Sequence, residues 1–310
     1  MSGEFPPLLA IVGPTAVGKT ALSIVLAQTL GGEIVSADSR QVYKGMDIGT
    51  AKPSPAELAA VRHHLIDIVD PGEEFSLALY LDLAHAAIAD IRARGHLPMV
   101  VGGTGQYAAA LLEGWKVPHV PPQLELRAAL EREAEQRGVQ TLYERLQHID
   151  PAAAALIQPA NVRRIIRALE VYEVTGRPFS AQREKEPPPW RILTLWLDLQ
   201  REELYARIDA RVDAMIAAGL VKEVRSLLQR GYDWSLPALS SLGYREFEPY
   251  FAGRAALEEC IQRLKFNTHA FARRQGAWFR RLPGLHRLYA GPSVAVQARE
   301  LVQRELLGNA

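Results

Sequence analysis

A glycine-rich octapeptide at residues 13–20 constrains the fold more than any other feature of the sequence. An apolar run at 8–12 precedes it, and residues 19–30 have helical spacing. The helix is predicted to place on one side Leu22, Val25, Leu26 and Thr29. Strand, glycine turn and helix in this order are typical of a phosphate-binding loop, whose backbone amides and helix dipole face one anion. The eight residues are Gly13, Pro14, Thr15, Ala16, Val17, Gly18, Lys19 and Thr20. The pattern predicts a site for a di- or triphosphate.

Short apolar runs alternate with helical segments through the first third of the chain. Strands are predicted at 8–12, 33–36, 64–68 and 97–101, with a helix at 76–94. This alternation favours an α/β fold, a P-loop NTPase-like parallel sheet with flanking helices. A further strand at 191–199 is predicted to return to the sheet after a long excursion.

Proline clusters mark both ends of that excursion, which we interpret as an all-helical insertion at 118–189. Its helices are predicted at 123–136, 140–148, 151–157 and 161–175, the last closed by Gly176. Residues 1–117 and 190–310 then form the core. After the returning strand we expect only helices, at 201–218, 220–229 and about 255–279.

Composition excludes several classes of protein. The longest apolar runs are far shorter than the roughly 20 residues of a membrane-spanning helix, and residues 1–7 lack the basic and apolar regions of a secretory signal. We therefore expect a cytoplasmic protein that does not enter a membrane. Cys260 is the single cysteine, so no internal disulfide or zinc-binding thiolate cluster is expected.

Positive charge is concentrated in one segment, although the net charge of the chain is only +1. Residues 261–287 contain seven basic residues and no acid. They are Arg263, Lys265, Arg273, Arg274, Arg280, Arg281 and Arg287. Such a cationic segment suits phosphate groups.

A single aspartate follows the second predicted strand. Asp38 should lie at the carboxyl edge of the sheet, where open α/β folds hold their ligands, whereas the strand that ends at 102–105 delivers no acid. Its carboxylate could bind magnesium through water, accept a proton from a nucleophile, or simply cap a turn.

Several ordered motifs make this sequence similar to the tRNA dimethylallyltransferase family. They are the phosphate loop, the run from Ser36 to Pro53 (SADSRQVYKGMDIGTAKP), Val101–Gly105 (VGGTG), Arg167–Glu170 (RALE), Leu242–Arg245 (LGYR) and Arg273–Gln275 (RRQ). Together with the strand that precedes the loop they span residues 8 to about 282. The eighteen-residue run after the second strand is far more specific than a phosphate loop alone.

The resemblance implies a reaction and its catalytic residues. The phosphate loop would bind the diphosphate of dimethylallyl diphosphate, with Mg2+ on Thr20 as cofactor, and Arg211 would contact the same diphosphate. Asp38 would act as general base for an adenine amine, which is a poor nucleophile until it loses a proton. Thr104 would contact the reacting nucleotide, although it could also cap a helix. From the residues alone, Arg211 would be read as a solvated helix arginine.

The resemblance also implies that the partner is the anticodon stem-loop of tRNA, with the adenosine at position 37 of tRNAs reading codons that start with U as the target. An adenosine stacked in that loop must be flipped out to reach a deep sheet edge. The base would be surrounded by Asp38, Ser39, Arg40 and Gln41. The expected RNA contacts elsewhere are Arg127, Arg163, Arg164 and Arg167 in the insertion, and Gly243, Tyr244, Arg245, Arg273, Arg274, Gln275 and Arg280 beyond it.

Three alternatives remain open at the level of sequence. An adenylate isopentenyltransferase would use the same loop and base on a free nucleotide, a small-molecule kinase would use ATP, and an RNA-binding module would need no catalysis. The arginine-rich segments favour RNA over a free nucleotide. No pair of cysteines and histidines follows Arg281, so we expect a bacterial-type member without a zinc finger, and the family suggests a monomer.

Overall fold

Six parallel strands form the central sheet in the computed structural model, which describes residues 5–182 and 184–308. The strands are β1 (Pro7–Val12), β2 (Gly32–Ser36), β3 (His63–His64), β4 (Leu97–Gly102), β5 (Arg191–Asp198) and β6 (Leu285–Tyr289), in the order β3-β2-β4-β1-β5-β6. The predicted P-loop-type α/β fold is therefore confirmed. Residues 1–4, 183, 309 and 310 lie outside the described residues. The segment 1–7, in which no secretory signal is expected, is therefore described only in part.

The helices follow the chain between and after these strands. They are α1 (Lys19–Leu30), α2 (Pro55–Ala60), α3 (Leu77–Ala93), α4 (Gly105–Leu112), α5 (Leu124–Arg137), α6 (Val139–Ile149), α7 (Pro151–Ala154), α8 (Val162–Thr175), α9 (Arg201–Ala218), α10 (Leu220–Gln229), α11 (Glu248–Phe251), α12 (Leu257–Phe279) and α13 (Val294–Val302). No helix in the described part of the chain is long and apolar enough to cross a membrane.

Register places β1 at the centre of the sheet. Ile11 pairs with Val101 of β4 on one side and with Leu195 of β5 on the other, so the chain after β1 emerges between two neighbouring strands. The next strand in sequence, β2, lies beyond β4. This change of direction leaves a crevice at the carboxyl edge, where the loops after β1, β2 and β4 meet.

The described residues form two compact units. One runs to Leu112 and resumes at Pro188; the other is Glu113–Pro187. The second unit begins earlier than the predicted residue 118. Trp115 and Lys185 form an antiparallel β-bridge, and the Lys116 amide donates to the Glu184 carbonyl, so the segments before and after the helices belong to this unit. Its own core packs α5, α6 and α8 through Leu130, Leu142, Leu146, Ile165 and Leu169.

The buried face of α1 differs from the predicted one. Leu22 and Leu26 are buried as expected, but Val25 is 42% exposed, and Ser23 and Ala27 are buried instead. Small side chains at these two positions let the helix pack closely on the sheet. Cys260, the single cysteine, is a buried core residue.

Two sheet-edge predictions were wrong. The strand predicted at 64–68 ends at His64, because Leu65 and Asp67 have positive φ angles that break the ladder. Residues after β5 are not all helical, since β6 pairs with β5 from Thr194↔Leu285 to Asp198↔Tyr289. This strand is short and half exposed, so it carries little apolar patterning.

Candidate active site

The glycine loop after β1 has the geometry that phosphate binding requires. A Cβ at Gly13 would lie 2.3 Å from the Leu197 carbonyl oxygen, so only glycine fits where the loop crosses β5. Gly18 has φ 102° at the N-cap of α1, a conformation that favours glycine. The loop therefore leads directly into the positive end of a helix.

Lys19 supplies a buried charge beside this loop. Its Nζ donates to the Gly13 carbonyl at 2.9 Å and to the Pro14 carbonyl at 2.7 Å. Burial and, to a smaller extent, the positive charge of Arg211 together lower the pKa of Lys19 to about 7, although the negative charge of Asp38 opposes both. An ammonium held in this way is stabilised by an incoming anion.

Asp38 lies where the second strand leads into its loop. The Ala37 amide donates to the Val101 carbonyl at 2.8 Å, and Gly102 is needed because a Cβ there would lie 2.2 Å from the Ala37 oxygen. Asp38 Oδ1 accepts from the Arg40 amide at 2.9 Å. The carboxylate thus accepts a hydrogen bond within its own turn and also lines a cavity.

Thr104 connects the loops that follow β2 and β4. Its Oγ1 accepts from the Ser39 amide at 3.0 Å, and its carbonyl accepts the Tyr107 and Ala108 amides at the start of α4. The side chain therefore holds the Asp38 loop rather than capping α4.

Two cavities meet at this edge of the sheet. The smaller, about 90 Å³, is lined by Lys19, Thr20, Ser36 and Gln41 among others. The larger, about 440 Å³, is lined by Ser39, Arg40 and Thr104 and by side chains of α9 and α12. The residues that line both are Thr15, Asp38, Thr50, Ala51, Gly103, Arg211, Phe271 and Gln275. The smaller chamber beside the glycine loop and the wider chamber therefore share a wall that contains one carboxylate and one guanidinium.

Arg211 reaches this junction from α9. Its Nη1 donates to Thr15 Oγ1 at 3.4 Å. Burial lowers the pKa of Arg211, whereas the charges of Asp38 and Glu57 raise it. The solvated reading of Arg211 is therefore wrong, since its guanidinium points at the phosphate loop.

Gln275 has a role that the sequence did not predict. The side chain is 5% exposed, its Oε1 accepts from the Thr15 amide at 2.8 Å, and its Nε2 donates to the Gly103 carbonyl at 2.8 Å. It fixes the phosphate loop to the loop after β4. The same helix brings Trp278 against Gly105, where a Cβ would lie 2.4 Å from the indole. Trp278 also lines the larger cavity.

Glu223 is a residue that the sequence analysis did not identify. From α10 its Oε2 accepts from the amides of Asp47 and Ile48 at 2.9 and 2.8 Å. Its Oε1 accepts from the Gly49 amide at 3.0 Å and from the Tyr244 hydroxyl at 2.7 Å. Tyr244 is fully buried, so the RNA contact that the resemblance implies for it does not fit the structure.

The other predicted RNA contacts in the first unit differ in their surroundings. Gly243, Arg245 and Arg274 line the larger cavity, whereas Arg273 on α12 and Arg280, just after the end of that helix, are exposed. Arg40 lines that cavity too, and its Nη1 donates to the Pro237 carbonyl at 2.9 Å. Gln41 lies in the smaller cavity, where its Nε2 donates to the Ala51 carbonyl at 3.2 Å.

In the insertion, the four predicted arginines fall into two pairs. Arg163 and Arg164 are exposed in the first turn of α8. Arg127 and Arg167 instead contact the buried carboxylate of Glu170, at 2.7 and 2.5 Å. This second pair joins α5 to α8, so its first role is to stabilise the unit.

A central parallel strand, a glycine loop with Lys19 and Thr20, and a helix that begins at the loop define a P-loop α/β protein. A family model described as IPP transferase matches residues 41–282, and one described as isopentenyl transferase matches residues 6–70. The chain belongs to the IPP transferase family.

Similar proteins agree with this membership. A tRNA dimethylallyltransferase of Roseiflexus castenholzii is 66% identical over 299 residues, which cover 96% of this chain and 98% of that protein. The crystal structure of the full-length tRNA isopentenylpyrophosphate transferase of Bacillus halodurans is 41% identical, covers 97% of both chains and superposes with a TM-score of 0.73. A eukaryotic dimethylallyltransferase acting on tRNA is 30% identical, with a TM-score of 0.82 over 96% of this chain and 78% of that one.

Proposed function

We propose that this chain transfers a dimethylallyl group from dimethylallyl diphosphate to the exocyclic amine of an adenosine in tRNA. The observation that carries the proposal is the shared wall of the two cavities, where Asp38 and Arg211 face both chambers. The smaller chamber, with Lys19 and Thr20, suits a diphosphate, and the larger one suits a base. A donor carbon and an acceptor nitrogen would meet at the junction.

The reaction needs one bond exchange and one proton transfer. The bond from the allylic carbon to the diphosphate oxygen breaks, and its electron pair leaves with the diphosphate. The adenine nitrogen forms the new bond to that carbon and gives its proton to the Asp38 carboxylate. Lys19, Arg211 and the loop amides stabilise the charge that develops on the departing diphosphate.

We also propose that magnesium accompanies the diphosphate. Among the described residues, no group of three or more His, Cys, Asp or Glu side chains could hold a metal ion. Thr20 faces the smaller cavity, and a hydroxyl together with substrate phosphates and water suits magnesium, which binds through few protein ligands. When bound, the ion would neutralise part of the diphosphate charge.

The acceptor is proposed from the resemblance to be the adenosine at position 37 of tRNAs reading codons that start with U. The insertion, with Arg163 and Arg164 exposed at the start of α8, and the basic residues of α12 would contact the anticodon stem-loop. We propose a monomer that acts in the cytoplasm.

A transfer assay tests the proposal. Labelled dimethylallyl diphosphate and magnesium are mixed with the protein, an unmodified anticodon stem-loop and free AMP as a competing acceptor. Label on the RNA alone supports the proposal. Label on AMP assigns the chain to the free-nucleotide reaction instead, and label on neither refutes prenyl transfer.

A further inference from the structure

Two exposed arginines converge on one tyrosine hydroxyl on the first unit. Tyr205 OH accepts from Arg273 Nη1 at 2.8 Å and from Arg201 Nε at 3.2 Å. Arg201 belongs to the first turn of α9, and Arg273 lies near the middle of the C-terminal half of α12. Since both bonds end on the same oxygen, Arg273 Nη1 and Arg201 Nε can lie at most about 6 Å apart.

The convergence is built into the packing of α9 on α12. The Tyr205 ring stacks on His269 with centroids 4.1 Å apart and an interplanar angle of 7°, and the Arg201 guanidinium lies over the same ring. His269 Nε2 lies 2.8 Å from Asp209 Oδ1. These contacts fix the phenol, so the two arginines have little freedom to separate.

Nothing in the described chain neutralises this pair of charges. Within the described ranges neither arginine has a carboxylate at ion-pair distance, whereas Arg207 on the same helix pairs with Glu203 at 2.8 Å. Burial alone would raise the pKa of Tyr205, but the hydrogen bonds and charges of Arg273 and Arg201 lower it. Two like charges held together without a counter-charge form an anion site.

We propose that Arg201, Tyr205 and Arg273 form a binding site for a backbone phosphate of the RNA. The two helices that carry these residues, α9 and α12, also supply side chains to the larger cavity, among them Arg211 and Arg274, so an RNA strand whose base enters that cavity would run close to both helices. Such backbone contacts offset the energy of flipping a base. The site rests on the proposed function, because the cavity must accept a base for the strand to run this way.

Tests of the site measure RNA binding separately from catalysis. Binding of an unmodified stem-loop is titrated by fluorescence anisotropy without donor, over a range of salt concentrations, for Arg201→Gln, Tyr205→Phe and Arg207→Gln. Losing one phosphate contact should reduce the magnitude of the slope of log K against log salt by about 0.7–0.9. Extrapolated from 1 M to 0.15 M salt, this corresponds to roughly fivefold weaker binding.

We expect Arg201→Gln to lose this much affinity and slope, and Arg207→Gln, the matched control, to keep both. Tyr205→Phe keeps the stack on His269 but frees the arginines, so binding should weaken while the slope is unchanged. Equal effects of the two arginine variants would overturn the site. The site would also be overturned if Arg201→Gln raised KM for the diphosphate donor and left RNA binding unchanged, because the arginines would then bind the donor and not the RNA. Failure of wild-type transfer to RNA would instead refute the proposed function, and the binding result separates the two.

Discussion

Replacing Glu223 by glutamine should weaken both the fold and the recognition of RNA. The carboxylate accepts four hydrogen bonds, three from consecutive amides of residues 47–49 and one from Tyr244. A glutamine can present only one oxygen, so its amide nitrogen must face at least one N–H donor. The charge that all four donors share is lost as well.

The magnitude follows from the number of bonds affected. A hydrogen bond to a charged group contributes about 1.5–3 kcal/mol to stability, and partial exposure of Glu223 favours the lower end. Losing two such bonds costs about 3 kcal/mol, a large part of a typical net stability of about 5–15 kcal/mol. The loop that is released also carries the Thr50 and Ala51 carbonyls, which hold the Gln41 amide.

Urea unfolding and steady-state kinetics test this reasoning. The matched control is Glu202→Gln, which removes a carboxylate from the exposed first turn of α9. We expect Glu223→Gln to lower the unfolding midpoint at an unchanged m-value and to raise KM for RNA more than KM for the donor. A loss of stability below about 0.5 kcal/mol, with both KM values unchanged, would refute the role of Glu223.

Three further predictions concern stability. Glu170→Ala removes the buried carboxylate that Arg127 and Arg167 share and should cost the insertion about 3–5 kcal/mol. Glu173→Ala, an exposed control, should cost below about 1 kcal/mol in thermal unfolding, and equal losses in the two variants would contradict the buried network. Gly243→Ala places a Cβ 2.8 Å from the Gly49 carbonyl oxygen at φ 100°. It should lose about 2 kcal/mol more stability than Gly253→Ala, where φ is also positive but no atom lies within 4 Å. Equal unfolding midpoints for the two variants would argue against the clash. Burial raises the pKa of Glu33, but hydrogen bonds from Arg94 and His64 outweigh it and lower the pKa from 4.5 to about 2. The ionised Glu33 should therefore contribute roughly 3 kcal/mol to the free energy of unfolding above pH 4.5, and this contribution should be lost as pH falls towards 2. A difference in stability between the wild type and Glu33→Gln that is independent of pH would contradict this.

Local patterns predicted the regular parts of the chain well. The helices at 201–218 and 220–229 have the predicted bounds, because their apolar periodicity is strong and glycines follow or separate them. The phosphate loop was predicted from a local pattern too, because its residue spacing between a strand and a helix is typical of one structure. The short edge strands β3 and β6 carry too few residues to show a period.

Long-range contacts could not be read from the sequence. Arg211 looks like any helix arginine until the packing of α9 brings it to Thr15, 196 positions away in the chain. Glu223 and Gln275 satisfy backbone amides of distant loops, and no local signal announces an acceptor for a distant donor. The resemblance to a family supplied Arg211, whereas Glu223 was found only from the structure.

In the proposed reaction Asp38 takes the amine proton at the junction of the two cavities. Asp38→Asn keeps an oxygen for the Arg40 amide and removes only the base, so it isolates this role. Single-turnover transfer to a bound stem-loop should slow by about 100-fold or more, while the affinity for RNA changes by less than about twofold. A parallel loss of RNA affinity and rate, or a rate close to that of the wild type, would contradict the role of Asp38 as the base.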